Sequence, residues 1–187
     1  MAAKSNNNFS FCRNPIAGRA LFVDRDGILN ETVFIDSQMH SPRNWGEIRI
    51  YPEARRLREL KSLGFLLILV TNQPDIERDI VSLEFVDAVN GQFRKDFALD
   101  GIYCCPFASN DHPDKKPNPG MFLRAAKDFS LTLSECFHLG DTERDVNAAM
   151  RCGCKSIIWD RPYNKPLKAD HRISTFEELK SVLVSAN

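Results

Sequence analysis

The sequence predicts an α/β fold: a doubly wound, mainly parallel sheet covered by helices on both faces. Three observations carry this. Short apolar runs alternate with longer amphipathic stretches through most of the 187 residues. Several runs are too short for buried helices and end at polar residues. The length suffices for one well-filled core.

The elements follow in order. Ala20 to Val23 is an apolar strand that stops at Asp24. Pro52 opens a helix where proline costs least, and Gly64 closes it. Ala54, Leu57, Leu60 and Leu63 line one face of that helix. Phe65 to Val70 suits a strand buried on both sides. Phe85, Val86, Val89, Phe93 and Phe97 mark the next helix, at helical spacings. Gly101 to Cys105 reads as a strand. Pro119 opens a helix carrying Phe122, Ala125, Ala126 and Phe129. Cys136 to Leu139 is a strand, Asp145 to Cys152 a helix, and Lys155 to Trp159 a further strand. The pattern Thr175-x-x-Glu178 is a capping box that starts a last helix, running to about Val184. Residues 1–18 read as a flexible lead-in and 19–187 as one domain. Two long irregular stretches, Asn30 to Tyr51 and Pro106 to Asn118, are long enough to suggest functional loops. The first serves either as a wall of the pocket or as a packing flap.

Composition excludes several classes. Lysine plus arginine equals aspartate plus glutamate, 25 against 25, so no basic excess points to nucleic acid. No apolar run approaches a membrane span, and the start lacks a signal peptide. A cytoplasmic, monomeric protein is the expectation, with no nucleic-acid or membrane partner. The six cysteines, Cys12, Cys104, Cys105, Cys136, Cys152 and Cys154, lack C-x-x-C spacing. They read as reduced, buried thiols.

The polar residues at the strand ends carry the functional signal. Asp24, Thr71 and Asp141 each fall directly after an expected strand or one residue beyond it. In a parallel sheet those ends meet at one edge, where ligands bind. Asp24 and Asp26 lie two apart before Gly27. So close a pair repels unless a cation intervenes or one carboxyl takes a proton. Oxygen ligands suit magnesium, and the pair also suits a nucleophile with a general acid. An Asx turn with a helix cap is the competing reading. Thr71 offers a hydroxyl and an N–H to a phosphate oxygen, or is only a turn residue. Lys115 or Lys116 can neutralise a transferring phosphoryl group, or both are solvated. Asp141 is placed to complete a metal site. Asp145 either supports that site or caps the following helix. Together these form a toolkit for phosphoryl transfer with magnesium.

At these residues the chain resembles the phosphatases of the haloacid dehalogenase superfamily, from about Arg19 to the last helix. The motifs are Asp24-Arg25-Asp26-Gly27, Thr71, Lys116 and Gly140-Asp141-x-x-x-Asp145. The resemblance implies the Rossmann-like fold of that superfamily without a separate cap domain. It implies Asp24 as nucleophile and Asp26 as acid and base. Thr71 and Lys116 would hold the phosphoryl group. Magnesium would be bound by the side chains of Asp24 and Asp141 and the carbonyl of Asp26. The stretches DRDGILN, VTNQPDIER, DGIYCCP and KKPNPGM resemble the D-glycero-D-manno-heptose-1,7-bisphosphate 7-phosphatases and the related histidinol-phosphate phosphatases. By that likeness Arg25, Asn72, Gln73 and Lys115 would bind substrate.

The chain departs from the sub-family in three places. Phe107 stands where a zinc-binding histidine is expected, and a later cysteine pair is missing, so no structural zinc is expected. Lys115 replaces an arginine, which loses a two-pronged grip on phosphate. Asp79 replaces a glycine, which is expected to alter the shape of its loop.

A small phosphorylated sugar is the implied substrate, best guessed as heptose bisphosphate for surface polysaccharide. Histidinol phosphate, another sugar phosphate, or transfer to a different alcohol are the enzymatic alternatives. A 3′-phosphatase acting on polynucleotides fits the charge balance poorly. A binding protein that kept the fold without the chemistry is the alternative from another class.

Overall fold

The computed structural model describes residues 18–185. The strands are β1 (Ala20–Val23), β2 (Val33–Ile35), β3 (Gln38–His40), β4 (Leu66–Asn72), β5 (Gly101–Cys105), β6 (Phe137–Gly140), β7 (Lys155–Trp159) and β8 (His171–Ile173). The α-helices are α1 (Leu83–Phe97), α2 (Gly120–Phe129), α3 (Glu143–Cys152) and α4 (Phe176–Ser185). A 3-10 helix covers Pro52–Leu63.

Six strands form one parallel sheet in the order β5-β4-β1-β6-β7-β8. The strands alternate their side chains between two cores, as the period of two requires. Leu21, Val23, Leu67 and Leu69 face Val89, Phe93 and Phe97 of α1, with the 3-10 helix and α4 beside them. Ala20, Phe22, Ile68 and Val70 face Met121, Phe122 and Ala125 of α2 and Ala148 and Ala149 of α3. Both faces are covered, so the strands read as unbroken apolar runs.

β1 lies between β4 and β6, and the chain leaves it in one direction before returning on the other side. That reversal opens a crevice at the carboxyl ends of these strands. Asp24 is the first residue beyond β1, and its N–H donates to the Leu139 carbonyl of β6 at 2.9 Å.

Several expectations need correction. The Pro52–Leu63 helix winds as a 3-10 helix. Its apolar residues Ala54, Leu57, Leu60 and Leu63 recur every third position, which matches three residues per turn. β4 runs two residues further than expected, so Thr71 and Asn72 belong to the strand. α3 begins at Glu143, ahead of Asp145. β8 and the β2–β3 hairpin were not anticipated. The hairpin turns on Asp36 and Ser37, at φ 50° and 62°. Positive φ at both central residues suits a tight hairpin, but Asp-Ser is a weaker signal for it than Asn-Gly. Asp79, which stands where relatives have a glycine, sits in the left-handed region at φ 55°.

The capping box of α4 forms as expected. Glu178 N–H donates to Thr175 Oγ1 at 3.2 Å, and Thr175 N–H donates to Glu178 Oε2 at 3.3 Å. Among the described residues Cys105, Cys136, Cys152 and Cys154 are buried free thiols, and Cys104 is half-buried. Cys12 and nearly all of the expected lead-in lie outside the described residues. No helix among them is long and apolar enough to cross a membrane.

Phe122 sits edge-on to both Phe22 and His138, each at 4.9 Å between ring centroids. Phe122→Ala is expected to lower the unfolding free energy by about 3–5 kcal/mol, read from urea denaturation. A loss below about 1 kcal/mol would mean that this core refills the cavity.

Candidate active site

The cleft at the sheet edge is lined by Asp24, Asp26, Thr71, Lys116 and Asp141. The expected catalytic and metal side chains therefore converge. Lys116 is almost fully buried, and its ammonium is fully engaged. Nζ meets Asp145 Oδ1 at 2.6 Å, Asp24 Oδ1 at 2.9 Å and the Val70 carbonyl at 3.0 Å. Three donors meet three acceptors, all that an ammonium can hold.

Asp145 supports this lysine and does not face outward. Its Oδ2 accepts from the Thr142 N–H at 3.0 Å and hydroxyl at 2.6 Å, closing the cap of α3. His138 Nε2 faces its Oδ1 at 3.1 Å, and an acceptor-only carboxylate places the proton on that nitrogen. Gly140 is required here, because a Cβ would lie 2.3 Å from that of Asp145. Burial works against the Asp145 charge, but Lys116 and His138 outweigh it and hold the carboxyl far below the usual range.

Asp24 is in the opposite state. Burial raises its pKa to about 7, since Lys116 offsets only part of the penalty and Asp145 and Asp26 add repulsion. The ammonium sits closer to Asp145 than to Asp24, so its charge goes chiefly to Asp145. Both contacts to Asp24, from Lys116 and from the Arg25 N–H at 2.8 Å, fall on Oδ1.

Asp26 is held by its neighbours. Arg25 Nε, Arg25 Nη2, Asn30, Ser41 and Gln73 all donate to its two oxygens, at 2.7 to 3.2 Å. Burial pushes its carboxyl up, but the Arg25 charge and these bonds outweigh burial and keep it below its usual range.

Arg25 and Gln73 were expected to bind substrate. Both are buried, and they bond to each other at 2.8 Å and to Asp26. Their side chains form the floor beneath Asp26 and do not line the cleft. Asn72 lines it, but both ends of its amide are bonded to the Lys116 backbone at 3.0 Å. Lys115 stands in an adjoining hollow, with its Nζ on the Ala108 carbonyl. Phe107 stacks on His112 in the same loop, ring centroids 3.9 Å apart.

The long loop after Asp24 forms part of the wall. Met39, His40 and Ser41 line the cleft. Trp45 instead packs outside, edge-on to Phe85 at 5.7 Å. The cleft of about 140 Å³ opens into the hollow of about 410 Å³ through shared residues, including His40, Asn72 and Arg144. The first volume suits a phosphoryl group and the second a sugar-sized remainder.

Asp24, Asp141 and Asp145 can each place an oxygen within 4.8 Å of the others. Asp141 is fully buried, and its Oδ1 has no hydrogen-bond partner. Burial, then repulsion from Asp145 and Asp24, pushes its pKa well up. Buried, crowded carboxylate oxygen with a lone pair to spare fits a hard cation. Asp24 and Asp141 are the side chains with capacity, because Asp145 is already engaged.

Sequence reasoning missed the residues behind these acids. Tyr163 donates its hydroxyl to Asp141 Oδ2, and Asn164 Nδ2 donates to the Asp141 carbonyl at 2.8 Å. Burial and the Asp141 charge raise the phenol pKa, so it remains a donor. His138, Ser41 and Asn30 were missed as well. Asn30 lies within the DRDGILN stretch, four residues from the Asp26 it serves, whereas Ser41 and His138 reach their acids through the fold.

The residues 16–153 match the model of the haloacid dehalogenase-like hydrolases. The chain belongs to that family. A D-glycero-beta-D-manno-heptose-1,7-bisphosphate 7-phosphatase of Helicobacter pylori is 32% identical over 174 residues, 88% of this chain and 95% of the relative. A D-glycero-alpha-D-manno-heptose-1,7-bisphosphate 7-phosphatase of Burkholderia mallei is 35% identical over 166 residues, 76% of this chain and 81% of the relative. The D,D-heptose 1,7-bisphosphate phosphatase of B. bronchiseptica, solved with magnesium and phosphate, superposes with a TM-score of 0.77. It covers 90% of this chain and 99% of its own at 20% identity, which demonstrates the shared fold.

Gly27 adopts φ 90°, and a Cβ there would lie 2.1 Å from Asp141 Oδ2. Gly27→Ala is expected to cost about 1–3 kcal/mol of stability through backbone strain and overpacking. Urea denaturation without added metal reads this; a cost under about 0.5 kcal/mol would show that Asp141 yields freely.

Proposed function

We propose that the protein is a magnesium-dependent phosphatase that forms an aspartyl-phosphate on Asp24 and removes the 7-phosphate of D-glycero-D-manno-heptose 1,7-bisphosphate. The observation that carries the chemistry is Lys116, bridging Asp24 and Asp145 from a buried position at the cleft. Relatives about a third identical over most of the chain support the substrate.

Asp24 Oδ2 attacks phosphorus, while Lys116 and the Arg25 N–H hold Oδ1 and so fix the carboxylate plane. Thr71 would hold a phosphoryl oxygen through its hydroxyl, and Lys116, its three donors already engaged, would lend its positive charge beside the phosphoryl group. Asp24 and Asp141, with the Asp26 carbonyl, hold the magnesium, which supplies positive charge to the phosphoryl group. As arranged, Asp26 is ionised and suited to activate water for hydrolysis of the aspartyl-phosphate. Protonating the leaving oxygen requires that Asp26 first take a proton, and an incoming phosphate anion raises its proton affinity. Arg25, Gln73, Ser41 and Asn30 orient this carboxyl for both steps. Lys115 and Arg144 border the hollow that would receive the sugar, and Asn72 fixes the Lys116 loop beside it.

Inorganic phosphate release, measured with magnesium over a metabolite panel, tests the reading. Heptose 1,7-bisphosphate is expected to exceed histidinol phosphate and hexose monophosphates, with both anomers assayed. Asp24→Asn is expected to lose at least about a thousandfold in kcat. A folded wild type that releases no phosphate from any compound would overturn the hydrolase assignment. Preference for histidinol phosphate would overturn the substrate alone.

The raised pKa of Asp24 adds a pH signature. At low magnesium the acidic limb of kcat/KM is expected near pH 7, because Asp24 must be ionised to attack. A cation favours the carboxylate, so raising magnesium is expected to move that limb to lower pH. A limb that does not move would contradict contact between Asp24 and the ion.

The same shift affects stability. The folded pKa of about 7 lies well above the ordinary aspartate range, so ionising Asp24 opposes folding as pH rises out of that range, fully so above pH 7. Without metal at pH 8, Asp24→Asn is expected to melt above the wild type. A lower melting temperature would mean that the ionised Asp24 contributes net stability through Lys116.

A further inference from the structure

The turn from Arg161 to Asn164 follows β7 and carries none of the reacting groups, yet three of its side chains reach the loops that do. Arg161 donates from Nη2 and Nε to the Gly27 carbonyl, at 2.8 and 3.2 Å. Its guanidinium lies over the Tyr51 ring, 4.0 Å from the centroid. Asn164 closes the turn by accepting from the Arg161 N–H at 3.0 Å. Its Nδ2 donates to the carbonyls of Asp141 and Trp159, at 2.8 and 2.9 Å. Tyr163 lies between them and donates to Asp141 Oδ2.

Asp141 is thus held at its carbonyl and at one carboxylate oxygen. The other oxygen, Oδ1, is buried without a partner. A single donor on Oδ2 removes rotation about the last side-chain bond and decides which oxygen remains available. A phenol suits this task. It is a neutral donor, so it leaves the negative charge of the carboxylate uncancelled, where a lysine or arginine would neutralise it.

We propose that Tyr163 is a positioning residue for the divalent cation: its hydroxyl holds Asp141 so that Oδ1 faces the ion. Affinity for the ion then depends on a side chain that does not touch it. This rests on the reading of Asp141 as a cation ligand.

The test is a calorimetric magnesium titration of the protein without substrate, comparing wild type, Tyr163→Phe and Phe34→Ala. Loss of a partner behind a metal ligand costs about 10–100-fold in affinity, and about tenfold is expected for Tyr163→Phe. The phenyl ring remains, including its contact with Phe34 at 6.2 Å. Phe34→Ala removes that ring contact, keeps the hydroxyl, and is expected to bind magnesium as the wild type does. In turnover, Tyr163→Phe is expected to raise the KM for magnesium and leave the KM for substrate unchanged at saturating magnesium. Without metal it should keep a cooperative unfolding transition, at a melting temperature lowered by the lost hydrogen bond. Equal magnesium affinity in Tyr163→Phe and wild type would overturn the proposal. So would an equal loss in Phe34→Ala, or a loss of cooperative metal-free unfolding in Tyr163→Phe, since either makes the role structural. A wild type that binds no magnesium would overturn the cation reading itself.

Discussion

Buried charge that does not balance organises this protein. Asp24, Asp141 and Asp145 converge at the sheet edge, and one ammonium, that of Lys116, stands among them. Arg25 is committed to Asp26 and lends no charge to the others. Ionised, the three carboxylates would leave two negative charges uncompensated in a low-dielectric setting, which is costly. Unequal sharing of Lys116 resolves part of this. Asp145 takes the ammonium and stays ionised, while Asp24 and Asp141 are pushed toward their protonated forms. A divalent cation at the cleft would supply the missing charge and so relieve the repulsion that a phosphate anion would meet there.

The fold pays for that arrangement with rigidity on every side. Asp24 and Asp141 sit one residue beyond β1 and β6, on adjacent strands, so sheet register sets their spacing. Two glycines let the loops pass: Gly27 beside Asp141 and Gly140 beside Asp145. Behind the acids lies a layer of donors: His138 and Thr142 for Asp145, Arg25 and Gln73 for Asp26, and Tyr163 for Asp141. Each acid therefore has its own proton affinity, set by which donors reach it, and this is how four aspartates in one cleft can have different roles.

Much of this was legible in the sequence, and the reasons are specific. The apolar runs ending at Asp24 and Asp141 revealed both the strands and the edge where they meet, because a buried parallel strand has no polar alternation to obscure it. Lys116 and Asp145 were visible through motif spacing. Arg25 and Gln73 were visible as residues beside the nucleophile and were expected at the substrate; only the fold shows them buried and bonded to Asp26. Tyr163 and His138 lie 22 and 7 residues from the acids they serve, so no local pattern marks them. The 3-10 helix was foreseeable from the three-residue recurrence of Ala54, Leu57, Leu60 and Leu63. The β2–β3 hairpin was hidden, because Asp36-Ser37 is a weak turn signal and both strands are short.

On the proposed reading, the uncompensated carboxylates form one divalent cation site with Asp141 as a ligand. Calorimetric titration with magnesium of the wild type and of Asp141→Asn tests it most directly. One magnesium ion per chain is expected for the wild type, and no measurable binding for a folded Asp141→Asn. Binding of equal strength in the two proteins, or none in the wild type, would contradict it.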